Sequence, residues 1–87
     1  MTENDSIFKI KSYGKINMKL KSVLDGKNMT RNYLARAVNT RFEVIDKWYA
    51  GNVEKIDADI LARICYVLNC PVSDLLEYVP EEKEVGK

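Results

Sequence analysis

The sequence predicts an all-α domain: a compact bundle of five short helices behind an N-terminal arm that can form a short strand. Three observations lead there. Apolar residues recur three and four positions apart in stretches of about ten residues, the spacing of one helix face. The stretches are bounded by residues suited to helix ends, with Thr30, Asp57 and Ser73 at entry and Asn28, Asn39, Gly51 and Asn69 at exit. No strand-rich region interrupts residues 16–77. With 87 residues, 46% of them hydrophobic, the chain is sized for one domain and one core.

The first helix is expected from Asn17 to Lys27, with Leu20, Val23 and Leu24 on its inner face. Gly26 weakens its end, and Asn28 is suited to the left-handed residue that closes it. Thr30 caps a second helix, Arg31 to Val38, and Met29 and Leu34 flank that cap as a hydrophobic staple. After Asn39, a third helix runs from Arg41 to Tyr49 with Ile45 and Trp48 inward, and Gly51 stops it. Asp57 caps a fourth helix, on which Ile60, Leu61, Ile64, Cys65 and Leu68 form an unbroken apolar stripe. Ile56 and Leu61 repeat the staple there, and Asn69 and Pro71 end the helix. Ser73 then caps a last short helix through Glu77, burying Leu75 and Leu76. The arm segment Ile7 to Tyr13 favours an extended strand before Gly14, with Tyr78-Val79 or a second chain as partner. Residues 1–15 thus form an arm, 16–80 the folded domain and 81–87 a polar tail, the polar ends being expected to move.

Composition excludes several functions. Histidine is absent, which removes the commonest general base and neutral metal ligand. With no glycine-rich phosphate loop and no paired nucleophile and base, no catalytic residue, cofactor site or small-molecule substrate is expected, and the chain is read as a non-enzyme. Cys65 and Cys70 are five apart with no second pair, which is not a zinc spacing, so they are expected as buried free thiols and no metal is assigned. No apolar run is long enough to span a membrane, and Met1 to Ser6 are polar and acidic rather than leader-like, so a cytoplasmic location is expected.

Charge is uneven along the chain. Lys and Arg outnumber Asp and Glu eleven to six in residues 1–56 and are outnumbered three to seven in residues 57–87. Such asymmetry hints at a face turned toward a polyanion. The closely spaced helices at 30–38 and 41–49 are the informative pair. Joined by about two residues they must cross steeply, so the first braces the second, which projects from the surface. With Ile45 and Trp48 inward, Arg41, Phe42, Glu43, Asp46 and Lys47 point away from the core. A projecting helix of this kind fits the major groove of B-DNA.

The segment MTRNYLARAVNTRFEVIDKWYAG (Met29–Gly51) resembles the helix-turn-helix of the Cro and phage-repressor type, the XRE family, and the similarity continues to Pro80. It is carried by the joint spacing of Leu34-Ala35, Val38-Asn39, Ile45, Trp48, Gly51 and the Ile64/Leu68 helix. The resemblance implies a five-helix transcriptional regulator, a repressor by expectation, that binds double-stranded operator DNA as a homodimer on an inverted repeat. It implies that Phe42, Glu43 and Lys47 face base edges, where they could meet a thymine methyl, a cytosine amino group and a guanine respectively. It places Arg31 at a phosphate beside the start of the second helix, with Arg41, Asn52 and Lys55 as further backbone contacts. Asn39 stands where the family usually has glycine, and Glu43 and Asp46 cancel Arg41 and Lys47. That neutrality keeps an alternative open: a protein-interaction module on the same scaffold, antitoxin-like or an anti-repressor partner, with weak or no DNA binding.

Overall fold

The computed structural model describes residues 13–81. In chain order these form strand β1 (Lys15–Met18), helices α1 (Leu20–Lys27), α2 (Arg31–Ala37), α3 (Phe42–Ala50) and α4 (Ala58–Leu68), a 3-10 turn (Val72–Asp74) and strand β2 (Leu76–Val79). The two strands pair antiparallel, with Lys15 opposite Val79, Ile16 opposite Tyr78, Asn17 opposite Glu77 and Met18 opposite Leu76.

The domain is therefore mostly helical with a small sheet, not an all-α five-helix bundle. Two expected elements give way to the sheet. Asn17 and Met18 belong to β1, so the first helix begins at Leu20; the fifth helix, expected over 73–77, is a single 3-10 turn followed by β2. The reason is backbone satisfaction. A five-residue helix leaves more amides and carbonyls unpaired at its ends than it pairs internally. Pairing Leu76–Val79 with the chain entering α1 satisfies both segments at once, and the Lys19 amide donates to the Leu75 carbonyl at 2.8 Å to close the join. Leu75 is buried as expected, at 1% exposure, by a different backbone route. Of the strand expected over Ile7–Tyr13, residues 7–12 lie outside the described residues, as do the polar ends 1–6 and 82–87. The strand that pairs with Tyr78-Val79 is the next segment along, beyond Gly14.

All four helices end in the same way. A left-handed residue closes each of them: Asn28 (φ 56°), Gly51 (φ 80°) and Asn69 (φ 54°) directly after the last helical residue, and Asn39 (φ 59°) one position later, beyond Val38. The next amide reaches back five residues: Met29 to Leu24, Thr40 to Ala35, Asn52 to Lys47 and Cys70 to Cys65, at 2.9–3.1 Å. These bonds satisfy carbonyls that a helix end otherwise leaves bare. Asparagine tolerates positive φ because its short amide side chain bonds locally, whereas alanine pays roughly 1–2 kcal/mol there. Asn39→Ala should thus lower unfolding free energy by about 1 kcal/mol and Asn39→Gly by much less. Urea titration followed by circular dichroism checks the order; equal stability of all three proteins would contradict it.

Two of the three expected entry signals hold, while Ser73 lies inside the 3-10 turn, whose cap position is Pro71, and makes no capping bond. The Thr30 hydroxyl accepts from the Tyr33 amide at 3.0 Å, and Asp57 accepts from Asp59 and Ile60 at 2.8 and 3.2 Å. Met29 packs against the core beside its cap, whereas Ile56, expected in the second staple, is exposed. Every helix supplies the core: Leu20 and Leu24 from α1, Leu34 and Ala35 from α2, Ile45 and Trp48 from α3, Ile64 and Leu68 from α4, joined by Val38 and Leu75. Among the described residues no polar or charged side chain is buried. Cys65 and Cys70 are free and half-buried, and burial raises the Cys70 thiol above its ordinary range.

Candidate nucleic-acid interface

Helix α3 is held from beneath. Ile45 is fully buried and Trp48 is 3% exposed, one turn apart on its inner face. At its N-terminus Arg41 occupies the cap position in extended backbone and makes no side-chain capping bond, so the first amides of α3 receive no side-chain partner from the cap. Arg41, Glu43 and Lys47 stand exposed. The link from α2 runs through Val38, Asn39, Thr40 and Arg41, longer than the two-residue turn expected. Arg63 of α4 clamps that link by donating to the carbonyls of Val38 (2.9 Å) and Asn39 (3.3 Å) while pairing with Asp59 at 2.6 Å.

The outer surface of α3 divides into two stripes. Glu43 and Lys47, four residues apart, are exposed to solvent. Beyond Lys47 the chain turns at Gly51, and an open groove of about 620 Å³ brings Lys47 together with Thr40, Asn52 and Lys55 over the edge of Trp48. Glu54 and Asp57 also line it. Three of the residues expected at DNA, Lys47, Asn52 and Lys55, thus share one concave surface.

The second stripe is Phe42, Asp46 and Tyr49, spaced by four and three along the same helix. Arg31, the first residue of α2, lies across it. Its guanidinium donates to the Asp46 carboxylate at 2.6 Å and sits 5.6 Å from the Phe42 ring centre and 4.7 Å from that of Tyr49. Phe42, expected on the outward ridge, is exposed at 37%, with the Arg31 guanidinium over its ring. Arg31, expected at a phosphate beside the start of α2, is paired with Asp46 of α3 in the free chain. The network continues to α1: the Tyr49 hydroxyl donates to Asp25 at 3.0 Å, and Lys21 pairs with Asp25 at 2.9 Å. The hydrogen bond from Lys21, and then that from Tyr49, hold the Asp25 carboxyl below its ordinary range; the same Lys21–Asp25 bond raises Lys21.

The sequence placed Asp46 on the outward face but did not disclose its pairing with Arg31, nor the parts that Tyr49 and Arg63 take in this surface. Arg31 and Asp46 are fifteen positions apart on different helices, and no periodicity pairs them; only the crossing of α2 over α3 does. Asp59 and Arg63 did carry a signal, an acid four residues before a base on one helix, but the clamp on the turn is tertiary.

Among the described residues no group of three or more His, Cys, Asp or Glu side chains is placed to hold a metal ion, and no helix is long and apolar enough to cross a membrane.

Comparison with solved structures finds the same arrangement elsewhere. A Bacteroides fragilis protein whose structure is named "putative DNA-binding protein" superposes with a TM-score of 0.65 at 22% identity, over 72% of this chain and all of that one. The transcriptional regulator VanUg superposes with a TM-score of 0.64 at 26% identity, over 84% of this chain and 95% of that one. No curated protein matches the chain. A sequence profile for the Cro/C1-type helix-turn-helix DNA-binding domain matches residues 19–81, from the residue that opens α1 to the end of the described structure. With α2 bracing an α3 that is anchored by Ile45 and Trp48 and exposed above them, the chain belongs to the Cro/C1-type helix-turn-helix DNA-binding family.

Proposed function

We propose that this protein is a sequence-specific transcriptional regulator that seats α3 in the major groove of an operator and represses by occupying it. The carrying observation is the exposed pair Glu43 and Lys47 on a helix locked from below by Ile45 and Trp48. A rigid support is what base readout requires, since hydrogen bonds to base edges discriminate only when the side chains arrive in fixed register. In this reading Lys47 donates to guanine and Glu43 accepts from cytosine. Phe42 meets a thymine methyl with its uncovered edge. Arg41, Asn52 and Lys55 hold phosphates on either side, and the amides opening α3 favour an anion there. Arg31 reaches a phosphate at the start of α2.

The four charged side chains Arg41, Glu43, Asp46 and Lys47 sum to zero, so α3 itself adds no net attraction to DNA and one copy relies on a few flanking cations, Arg31 and Lys55 among them, for its phosphate contacts. A homodimer on an inverted repeat doubles both the contacts and the specificity, which supports two-fold binding. Selection from a random duplex pool tests the proposal. Recovery of a palindrome with half-sites about one helical turn apart supports it, and equal, feeble binding to all duplexes rejects it. Lys47→Ala should cost about 1–3 kcal/mol on the selected operator and relax preference at one base pair per half-site. An unchanged preference would remove Lys47 from the reading set. The same neutrality on α3 favours a second reading, docking of a protein partner; a stable protein complex through the 41–49 face that excludes DNA would support it.

A further inference from the structure

Arg31 is engaged three ways by one stripe of α3: by the Asp46 carboxylate at 2.6 Å and by the rings of Phe42 and Tyr49 at 5.6 and 4.7 Å. These contacts do different work. The two aromatic faces fix the position of the guanidinium without using its N–H donors. The carboxylate occupies a donor and cancels the charge. Both partners of the pair remain partly exposed, Arg31 at 43% and Asp46 at 46% of their side chains, so the cation is within reach of a ligand from solvent. Lys21 is held in a related way, over the Tyr49 ring at 5.4 Å and by Asp25 at 2.9 Å, but its carboxylate belongs to its own helix α1, whereas Arg31 is paired by an acid of α3; Lys47 lies on the other stripe, in the groove with Asn52 and Lys55.

We infer that Asp46 is an internal competitor for Arg31, a positioning residue that mimics a DNA phosphate and lowers the affinity of the domain for duplex of any sequence. The inference rests on the DNA-binding reading given above. When the domain meets a duplex, a backbone phosphate near the start of α2 must take the Arg31 guanidinium from Asp46 or share it. The aromatic faces keep the cation in place during that exchange, so breaking the ion pair does not release the side chain into disorder. A phosphate contact adds affinity without reading sequence. Weakening it therefore lowers binding to arbitrary DNA and leaves discrimination to Glu43 and Lys47. This gives the neutral recognition helix a purpose: one of its two acids restrains a cation on the neighbouring helix.

The test uses the whole chain, purified as wild type, Asp46→Asn, Arg31→Ala and the double variant, with Lys47→Ala as the control for base readout. Affinities for the selected operator and for a random duplex are measured across a salt series. Asparagine keeps the shape of Asp46 and removes only its charge, and circular dichroism confirms that each variant is folded. Asp46→Asn should tighten binding by about threefold to tenfold on operator and random duplex alike. The slope of log affinity against log salt should steepen by about one, and the base preferences should not move. Arg31→Ala should weaken binding more in the Asp46→Asn background than in the wild type, because only there is the phosphate contact unopposed. Weaker binding by Asp46→Asn, or an Arg31→Ala penalty no larger without the acid than with it, overturns the inference. Those outcomes leave the DNA-binding reading intact so long as Lys47→Ala still alters base preference; a wild-type protein that binds no duplex overturns that reading itself.

Discussion

Trp48→Ala should remove about 3–5 kcal/mol of stability, a large share of what a domain within an 87-residue chain possesses. Trp48 is 3% exposed, lies one turn from the fully buried Ile45, and forms part of the core shared by all four helices. Truncation leaves a void that Leu and Ile neighbours on other helices cannot close without moving their backbones. The consequence reaches function through geometry. α3 is pinned from below by these two side chains, and losing one frees the helix to rotate and carry Glu43 and Lys47 out of register. Urea denaturation followed by circular dichroism measures the loss, and a gel shift at low temperature, where some folded protein survives, measures the binding. Trp48→Phe keeps most of the volume and should retain both properties in part. A Trp48→Ala protein with an unchanged unfolding midpoint would mean that α3 is not anchored as described.

The second large effect is expected far from α3. Gly14 has φ 87°, and a Cβ placed there would overlap the Val79 carbonyl oxygen and come within 2.9 Å of the Pro80 Cα. Both obstacles are backbone atoms, at the end of the partner strand and just beyond it, so no side-chain rotation relieves them. Gly14→Ala combines the cost of left-handed backbone with this collision and should destabilise by about 2–4 kcal/mol, limited by how far the sheet can part. If it parts, Met18 and Leu76 lose cover at the edge of the core, while the packing beneath α3 persists. Amide exchange should then accelerate across Lys15–Met18 and Leu76–Val79 before it does in α3. Gly14→Asn separates the two causes. Asparagine tolerates the backbone angle but carries the same Cβ, so it should resemble alanine if the collision dominates and resemble glycine if backbone strain does.

The contrast between those two sites follows what could be foreseen. The inward side of α3 was legible because Ile45 and Trp48 repeat at helical spacing between recognisable end signals, and both are buried. The stop residues Asn28, Asn39, Gly51 and Asn69 were legible for the same local reason, and all four adopt positive φ. The segment after Pro71 was misread. Leu75 and Leu76 suit a short helix or a strand equally well, and the pattern carries no information about the unpaired backbone of Lys15–Met18 sixty residues earlier. Arg31 was foreseen as a phosphate contact on resemblance alone, and nothing near it in sequence announced that Asp46 would hold it.

Where the helices stop, which face of each turns inward, and which charges α3 carries are properties of stretches of ten residues or fewer, and the amino-acid order by itself determined them; the start of α1 and the loss of a fifth helix were set by strand pairing. Tertiary structure decided which strand closes the domain, which residues share the groove beside Lys47, and which cation is already taken by an acid of its own chain. The physical reason is range. Capping and helical periodicity act between neighbours along the chain, whereas strand pairing and the Arg31–Asp46 contact exist only after helices and strands have crossed in space.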